Sequence, residues 1–594
     1  MDQRNLVLAI ILSLAILFGF QFLFPPAEPP APQQTVEGTD GSTPQLTPGS
    51  DGNVPSLASE PGSAIPTGKS RADAIGVSPR VAIENRRLSG SIALRGAKID
   101  DLVLTEFTET LDADSPMITL LSPEGSAKPY FSRFGWAAAG GGITLPDSNT
   151  LWETEGGTLT PDTPVTLRWN NGEGLTFEQV FALDDEYLFT ITQRVRNNGG
   201  AEVSLAPFGL ISRTDTPQIL GFYILHEGPI GVFDGVLEED DYDDLKDEYQ
   251  GQEVKIERPT TGGWIGITDK YWLTALVPDQ ADPVKSRFVY TQPGGRDLYQ
   301  SDFLYSASTV PAGGSVETTS RLFAGAKQVP VLQAYQEDLG IVNFDLAVDF
   351  GYFWFLTKPL FQALHWFYAQ VGNFGIAILL LTICVKLVFF PLANKSYKSM
   401  AKMRKLQPKM MELRERYGED KQRLNQEMMG LYKKEGANPL SGCLPIVIQI
   451  PVFFALYKVM FVTIEMRQAP FFGWIKDLSA PDPTTILNGF GLFPWDAPDL
   501  GLFNLLNIGV WPLLMGISMF LQQKLNPQPP DPVQAKVFML MPIMFTFLLA
   551  TFPAGLVVYW TWNNMLSMAQ QAFIMKRQGV PLGNPKPKKP AEND

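Results

Sequence analysis

Cysteine and histidine are nearly missing from this 594-residue chain, with two of each: Cys384, Cys443, His226 and His365. Two distant thiols exclude a CxxC redox pair and a cysteine-rich zinc cluster, and two isolated imidazoles exclude a multi-histidine metal site. No GxxxxGK[ST] phosphate loop is present, so nothing points to nucleotide hydrolysis or to a bound cofactor. No basic stripe interleaved with aromatics points to sequence-specific nucleic-acid reading. Charge is scarce as well. Charged residues make up 18% and hydrophobic ones 45%, where an average protein carries about 25% charged. That shortfall points to lipid.

What charge there is falls unevenly. Residues 71–345 hold 21 basic and 41 acidic side chains, out of 47 and 62 in the whole chain. An acidic module is therefore joined to a mildly basic, apolar one. Ahead of both, residues 6–24 (LVLAIILSLAILFGFQFLF) follow Arg4 as a nearly unbroken apolar run. It is long for a signal-peptide core and lacks a small-residue cleavage site, which predicts an uncleaved signal-anchor helix over 1–24. Residues 25–74 include ten Pro between Pro25 and Pro66, mixed with Gly, Ser and Thr. Such a segment cannot bury enough apolar surface to offset its ordering entropy and reads as a disordered linker.

Residues 75–345 alternate apolar and polar side chains in short runs. Examples are GSIALRGAKI (90–99), VTLRW (165–169), YLFTITQRVRN (187–197) and RFVYTQ (287–292), punctuated by Gly, Asn and Pro. The pattern predicts a large antiparallel β-sandwich. The acidic run EEDDYDDLKDE (238–248) reads as a solvated loop. Over 352–370 the spacing changes to that of an amphipathic helix, with Leu360, Phe361, Leu364 and Phe367 on one face and Lys358, Gln362 and His365 on the other. Apolar segments follow at 371–393, 443–464, 502–523, 535–552 and 554–575. Each is close to the about 20 residues that cross a bilayer, and the last two are joined by a tight turn at Phe552, Pro553 and Ala554.

The connecting segments fix an orientation. Residues 394–442 read as a basic helical hairpin, with twelve Lys and Arg against six Asp and Glu within 394–436. The tail 576–594 carries Lys576, Arg577, Lys586, Lys588 and Lys589, and 524–534 is a short loop on the same side. The loop 465–501 has only Arg467 and Lys476 against Glu465, Asp477, Asp482, Asp496 and Asp499. Basic segments stay on the cytoplasmic side. The expected chain is thus a multi-domain membrane protein of six spans, with both termini inside and residues 75–345 outside.

Lys386 is the sharpest chemical feature, since it lies within the apolar stretch FGIAILLLTICVKLVFFPL (374–392). A lysine near the bilayer centre costs about 2.5–3.5 kcal/mol on insertion scales. No span has an Asp or Glu in its core to pair with it, so the expectation is a hydrated intramembrane cavity. Thr382 lies four residues earlier on the same helix face. Gln449, Tyr559, Trp560 and Asn563 are the other candidates for its lining, with Trp562 and Asn564 beside them. Each of these taken singly reads as a helix–helix hydrogen bond. Lys458 reads as a residue reaching for the interface, and Met539, Met541 and Met544 as either core filling or an adaptable contact surface.

Three long stretches carry a family resemblance. They are KSMAKMRKLQPKMMELRERYGEDKQRLNQEMMGLYKKEGANPLSGCLPIVIQIPVFFALY (398–457), EMRQAP (465–470) with FFGWIKDLSAPDP (471–483), and FPAGLVVYWTWNN (552–564). They resemble the bacterial YidC insertase family, whose relatives are the mitochondrial Oxa and chloroplast Albino insertases. The resemblance is strong over about 350–575, and the anchor and β-domain are similar to the Gram-negative form. It implies a five-helix core with a polar groove open to the cytoplasm and to lipid and closed outside. It also implies a periplasmic super-sandwich similar to sugar-mutarotase folds, with no sugar chemistry carried over. The family's groove cation is usually arginine. Lys386 stands at the matching position, which keeps the charge and loses the planar fork.

The function implied is insertion and assembly of inner-membrane proteins without covalent chemistry. Nascent membrane proteins, the Sec translocon, the bilayer and the ribosome (through 394–436 and the tail) are the implied partners. A secondary transporter would call for intramembrane carboxylates and repeated halves, and neither is present. An enzyme on the β-domain would call for a clustered acid/base set, which isolated His226 does not supply.

Overall fold

In the computed structural model, residues 68–138, 142–219, 225–418, 420–436, 444–493, 495, 507–526 and 532–579 are described. The anchor expected over 1–24, the linker up to 67 and the tail from 580 lie outside the described residues. The end of the expected linker is ordered: Arg71–Ile75 is a short helix capped by Ser70, and Arg71 pairs with Asp101.

From Arg80 to Ala326 the described chain folds into two antiparallel sheets, one of ten strands and one of nine. The sheets face each other. Trp136 of the first meets Phe177 of the second edge-on at 5.0 Å, and Phe288 of the first meets Phe233 of the second at 5.9 Å. Polar groups inside this sandwich are paired across it. Gln179 and Gln193 donate to the Phe134 and Gly135 carbonyls at 2.9 and 2.7 Å. The expected strands at 165–169, 187–197 and 287–292 appear as Val165–Asn170, Leu188–Asn197 and Pro283–Thr291.

Two expectations are corrected here. The run 90–99 is two strands, Leu88–Ala93 and Lys98–Thr108, because Gly96 (φ +78°) and Ala97 (φ +50°) both turn left-handed between them. Positive φ at two successive residues matches the right-handed twist of a hairpin. The acidic run 238–248 is not a loop. Its end is the helix Tyr242–Glu248, which buries Tyr242 and Leu245, three residues apart, while its acids face water.

Nine longer helices follow among the described residues: α1 (Val329–Leu339), α2 (Trp354–Val371), α3 (Phe374–Val388), α4 (Phe390–Tyr417), α5 (Lys421–Glu435), α6 (Leu444–Val462), α7 (Val510–Leu525), α8 (Pro532–Leu548) and α9 (Ala554–Arg577). In α2 the side chains expected on the apolar face turn inward, and Trp354, Phe355 and Trp366 are exposed. Leu360, Phe361 and Leu364 are buried, Phe367 is partly so, and Lys358 reaches Asp345 at 2.7 Å. His365 stacks on Phe361.

The span expected over 371–393 is broken. Helices α3 and α4 meet at Phe389 with a bend of 67°. Pro391 marks the break: it lacks the N–H that would bond the Leu387 carbonyl and continue the ladder, and it sits in the first turn of α4, where a helix tolerates it. Of the span expected over 502–523, residues 502–506 lie outside the described residues, and α7 starts at Val510 after an extended Gly509. No single described helix is both long and apolar enough to cross a membrane alone; the bent pair of α3 and α4 passes that test together. Polar residues within the bundle account for part of this. The longest helix after α4, α9, carries Asn563, Asn564, Ser567 and Gln571 on its buried face.

The β-domain is joined to the helices by more than a tether. Just past α6, the Arg467 guanidinium and the Gln468 amide donate to the Thr108 carbonyl, Gln468 at 3.1 Å. Lys270 stands 3.9 Å over the Phe461 ring. Glu465 accepts at 3.3 Å from the N–H of Val329, the first residue of α1. Burial pushes the Glu465 carboxyl up to about 7, against two backbone donors that pull the other way. A carboxyl raised above its usual 4.5 binds its proton more tightly in the folded state. Its contribution is therefore most favourable below that value, weakens as pH rises to about 7, and is constant above. Glu465→Gln mimics the protonated form. Its thermal unfolding should match that of the native protein at low pH and lie higher at neutral pH, the gap opening between those two values. A gap independent of pH would contradict this.

Candidate functional site

Lys386 sits in the last turn of α3, beside the bend at Phe389. It is therefore not at mid-helix. Beyond the 67° bend, Leu392, Tyr397 and Met400 of α4 line the same cavity as Lys386, and a cation in a helix's last turn complements its dipole. Lys386 Nζ donates to Ser567 Oγ of α9 at 2.7 Å, and the Ser567 hydroxyl donates in turn to the Asn563 carbonyl at 2.7 Å. Among the described residues Lys386 has no carboxylate partner.

Around this pair lies a cavity of about 80 Å³. Its polar lining is Lys386 and Tyr397 from the α3–α4 arm, Gln449 from α6, Gln522 and Asn526 from the end of α7, and Ser567 and Gln570 from α9. Val385, Phe389, Leu392 and Val452 supply its apolar walls. That volume has room for a few waters and none for a polypeptide segment.

The base of α4 closes one end of the cavity. Tyr397 and Met400 pack on Ile574, and Ala401 packs on Met575. Arg404 is buried there and reaches the Lys524 carbonyl at 3.5 Å. Gln571 donates to the Leu525 carbonyl and to Asn526 Oδ1, both at 3.1 Å.

The expected site residues separate into two groups. Lys386 and Gln449 line the cavity, and Asn563 joins them by accepting from the Gln449 amide. Tyr559 is buried next to Gln449. Thr382 is buried but donates to the Ile378 carbonyl of its own helix at 2.7 Å, so its hydroxyl does not face the cavity. Trp560 belongs to an aromatic cluster with Phe453 (4.6 Å) and Phe545 (5.6 Å). Trp562 donates to the Leu379 carbonyl at 3.2 Å and Asn564 to Ser518 at 3.0 Å; both are ordinary helix–helix bonds. Lys458 is not a free interfacial cation, since it pairs with Asp349. Met539 and Met544 lie exposed on α8.

Ser567 and Gln570 were legible and missed: they follow Asn563 at i+4 and i+7, on one face of α9. Tyr397, Gln522 and Asn526 carry no comparable local signal. Ser567 should hold the ammonium in place. Ser567→Ala is expected to lower insertion of a substrate with an acidic tail several-fold, and Ser567→Thr, which keeps the hydroxyl, to restore it. Equal loss in both variants would point to packing instead.

The described residues thus form an antiparallel β-sandwich docked on a helical bundle, with Lys386 and Ser567 lining a polar cavity among its helices. Residues 80–363 match the family model described as YidC periplasmic domain, and residues 366–580 the one described as 60Kd inner membrane protein. The membrane protein insertase YidC of Bradyrhizobium diazoefficiens is 51% identical over 98% of this chain and 97% of its own length. That of Nitrobacter hamburgensis is 52% identical over 98% and 96%. A solved active YidC insertase aligns over 84% of this chain and 95% of its own, at 17% identity and a TM-score of 0.35. The chain belongs to the YidC family of inner-membrane protein insertases.

Proposed function

We propose that this protein inserts and helps assemble inner-membrane proteins by giving the short translocated segment of a client a polar path past Lys386. It does so without covalent chemistry or nucleotide hydrolysis. The physical task is to move a polar segment through about 30 Å of hydrocarbon. A cavity that holds water shortens the dry part of that path, and Lys386 attracts acidic side chains in the moving segment. The client's apolar helix leaves beside α6 and the exposed apolar face of α8, and its transfer into lipid drives the process. The hairpin of α4 and α5 faces the cytoplasm, as do both termini, and receives the chain near the ribosome or from the Sec translocon. The chain crosses the membrane six times, the segment expected over 1–24 being the first crossing.

The observation that carries this reading is the Lys386 ammonium, bonded to Ser567 inside a polar cavity and paired with no carboxylate among the described residues. The test is reconstitution of the purified protein alone into vesicles, scoring protease protection of a one-span client with a short translocated tail. Protection well above that in protein-free vesicles is expected. Protection equal to theirs would reject autonomous insertion.

A further inference from the structure

The segment between α6 and α7 first ties the bundle's ends together and then turns outward. Its root is bound to three helices. Asn373, at the start of α3, donates to the Phe471 carbonyl at 3.3 Å. The N–H groups of Ala554 and Gly555, at the start of α9, donate to the Ala480 and Leu478 carbonyls at 2.7 and 2.9 Å. At the start of α7, Trp511 N–H donates to Asp482 at 2.9 Å and Val510 N–H to Thr484 at 3.0 Å.

The tip beyond this root is folded too. Ile486 N–H donates to the Ile508 carbonyl at 3.1 Å, and Asn488 Oδ1 accepts from Gly491 N–H at 2.9 Å. The Phe493 and Trp495 rings stack at 4.5 Å. A segment this well bonded ordinarily turns its apolar side chains inward. This one presents Ile486, Leu487, Phe490, Leu492, Phe493 and Trp495 outward, Leu492 with 87% of its surface exposed. No charged residue occurs from 483 to 495.

We infer that residues 486–493 and Trp495 form an interfacial anchor whose apolar side chains sink through the headgroups to the edge of the acyl chains, at the level where α3, α7 and α9 begin. Lipid is the occupant for two reasons. The tip's composition, with Trp and Phe and no charge, is that of segments that rest at the membrane interface. The tip is also bonded through Ile486 to Ile508, two residues before α7, and α7 itself exposes Leu514, Ile517 and Leu521, as a membrane-embedded helix does toward lipid. The root makes the anchor rigid, so it sets how deep the starts of three helices sit. None of this depends on the role given to Lys386.

The experiment uses the full chain with Cys384 and Cys443 replaced by Ser, carrying a nitroxide at Leu492→Cys or Phe493→Cys and, as an aqueous reference, at Glu202→Cys. The protein is placed in phosphatidylcholine–phosphatidylglycerol vesicles at high lipid ratio, and the collision rates of each label with oxygen and with a nickel chelate are compared. At positions 492 and 493 oxygen should dominate, and at 202 the chelate, so that the ratio inverts between tip and reference. Chelate-dominated values at the tip would place it in water and overturn the inference. Protection from both reagents would place it against protein and overturn it equally. So would spin–spin broadening that grows with protein density, since that assigns the face to a second copy of the chain.

Discussion

Lys386→Glu is expected to remove most insertion of clients with acidic translocated tails, while Lys386→Arg keeps it and Lys386→Ala lies between. Two unit charges at about 4 Å interact by about 4 kcal/mol at an effective dielectric near 20. Turning that attraction into repulsion amounts to more than a tenfold loss. Arginine keeps charge and reach, so its different fork matters little if the effect is electrostatic. The fold should tolerate Lys386→Ala, because it removes a charge that is costly in the membrane. Glutamate has an added local cost of about 0.3–1 kcal/mol, since it places a negative charge at the negative end of α3. Insertion assays run beside thermal unfolding separate the two effects. Loss of insertion that tracks loss of stability across the three variants would refute the electrostatic reading.

The second large effect is expected in the β-domain. Asp302 is fully buried and accepts two bonds from Arg287, at 2.9 and 3.1 Å, and one from Gln300 at 2.7 Å. Burial already raises the Asp302 carboxyl above its usual range, and the Arg287 charge opposes that. Arg287→Met leaves the buried carboxylate, on the outer face of the ten-stranded sheet, with Gln300 but no charge partner and should cost about 3–5 kcal/mol. Because the lone carboxyl is raised further, the variant should regain stability as pH falls and it takes up a proton. Arg287→Met combined with Asp302→Leu should recover most of the loss, since an apolar pair of similar volume replaces the ions. Denaturant unfolding of the full chain, followed by near-ultraviolet circular dichroism, measures all three. A neutral single variant would show that the pair is dispensable.

Alternation with period two was enough to place strands such as Val165–Asn170 and Leu188–Asn197, because each buries one face against the opposite sheet. It did not show the turn inside 90–99, where Ala97 adopts a conformation that its residue type does not announce. The helix in 238–248 was hidden by its charge, only Tyr242 and Leu245 marking the buried face. The break at Phe389 was legible in Pro391, and it places Lys386 at the end of α3 beside the bend rather than within one continuous helix. Lys386, Gln449 and Asn563 could be named because a polar residue in an apolar run stands out. Thr382 stood out equally, yet a threonine within a helix can satisfy itself on the carbonyl four residues back, as it does here. The pairing of Lys458 with Asp349 joins residues 109 positions apart, and no local pattern encodes it. The docking of Arg467 on Thr108 spans 359 positions. It ties the β-domain to the helices, and no local pattern in either segment announces it.

The central claim is that Lys386 acts on clients through its charge. The most direct measurement is insertion efficiency in vesicles for clients whose short tails carry zero, one or two acidic residues, with the native protein and with Lys386→Glu compared across the series. The account predicts that the native protein inserts the acidic tails at least as well as the neutral one, and that Lys386→Glu falls progressively further behind with each acidic residue added. A gap between the two proteins that stays constant across the series, or no gap at all, would contradict it.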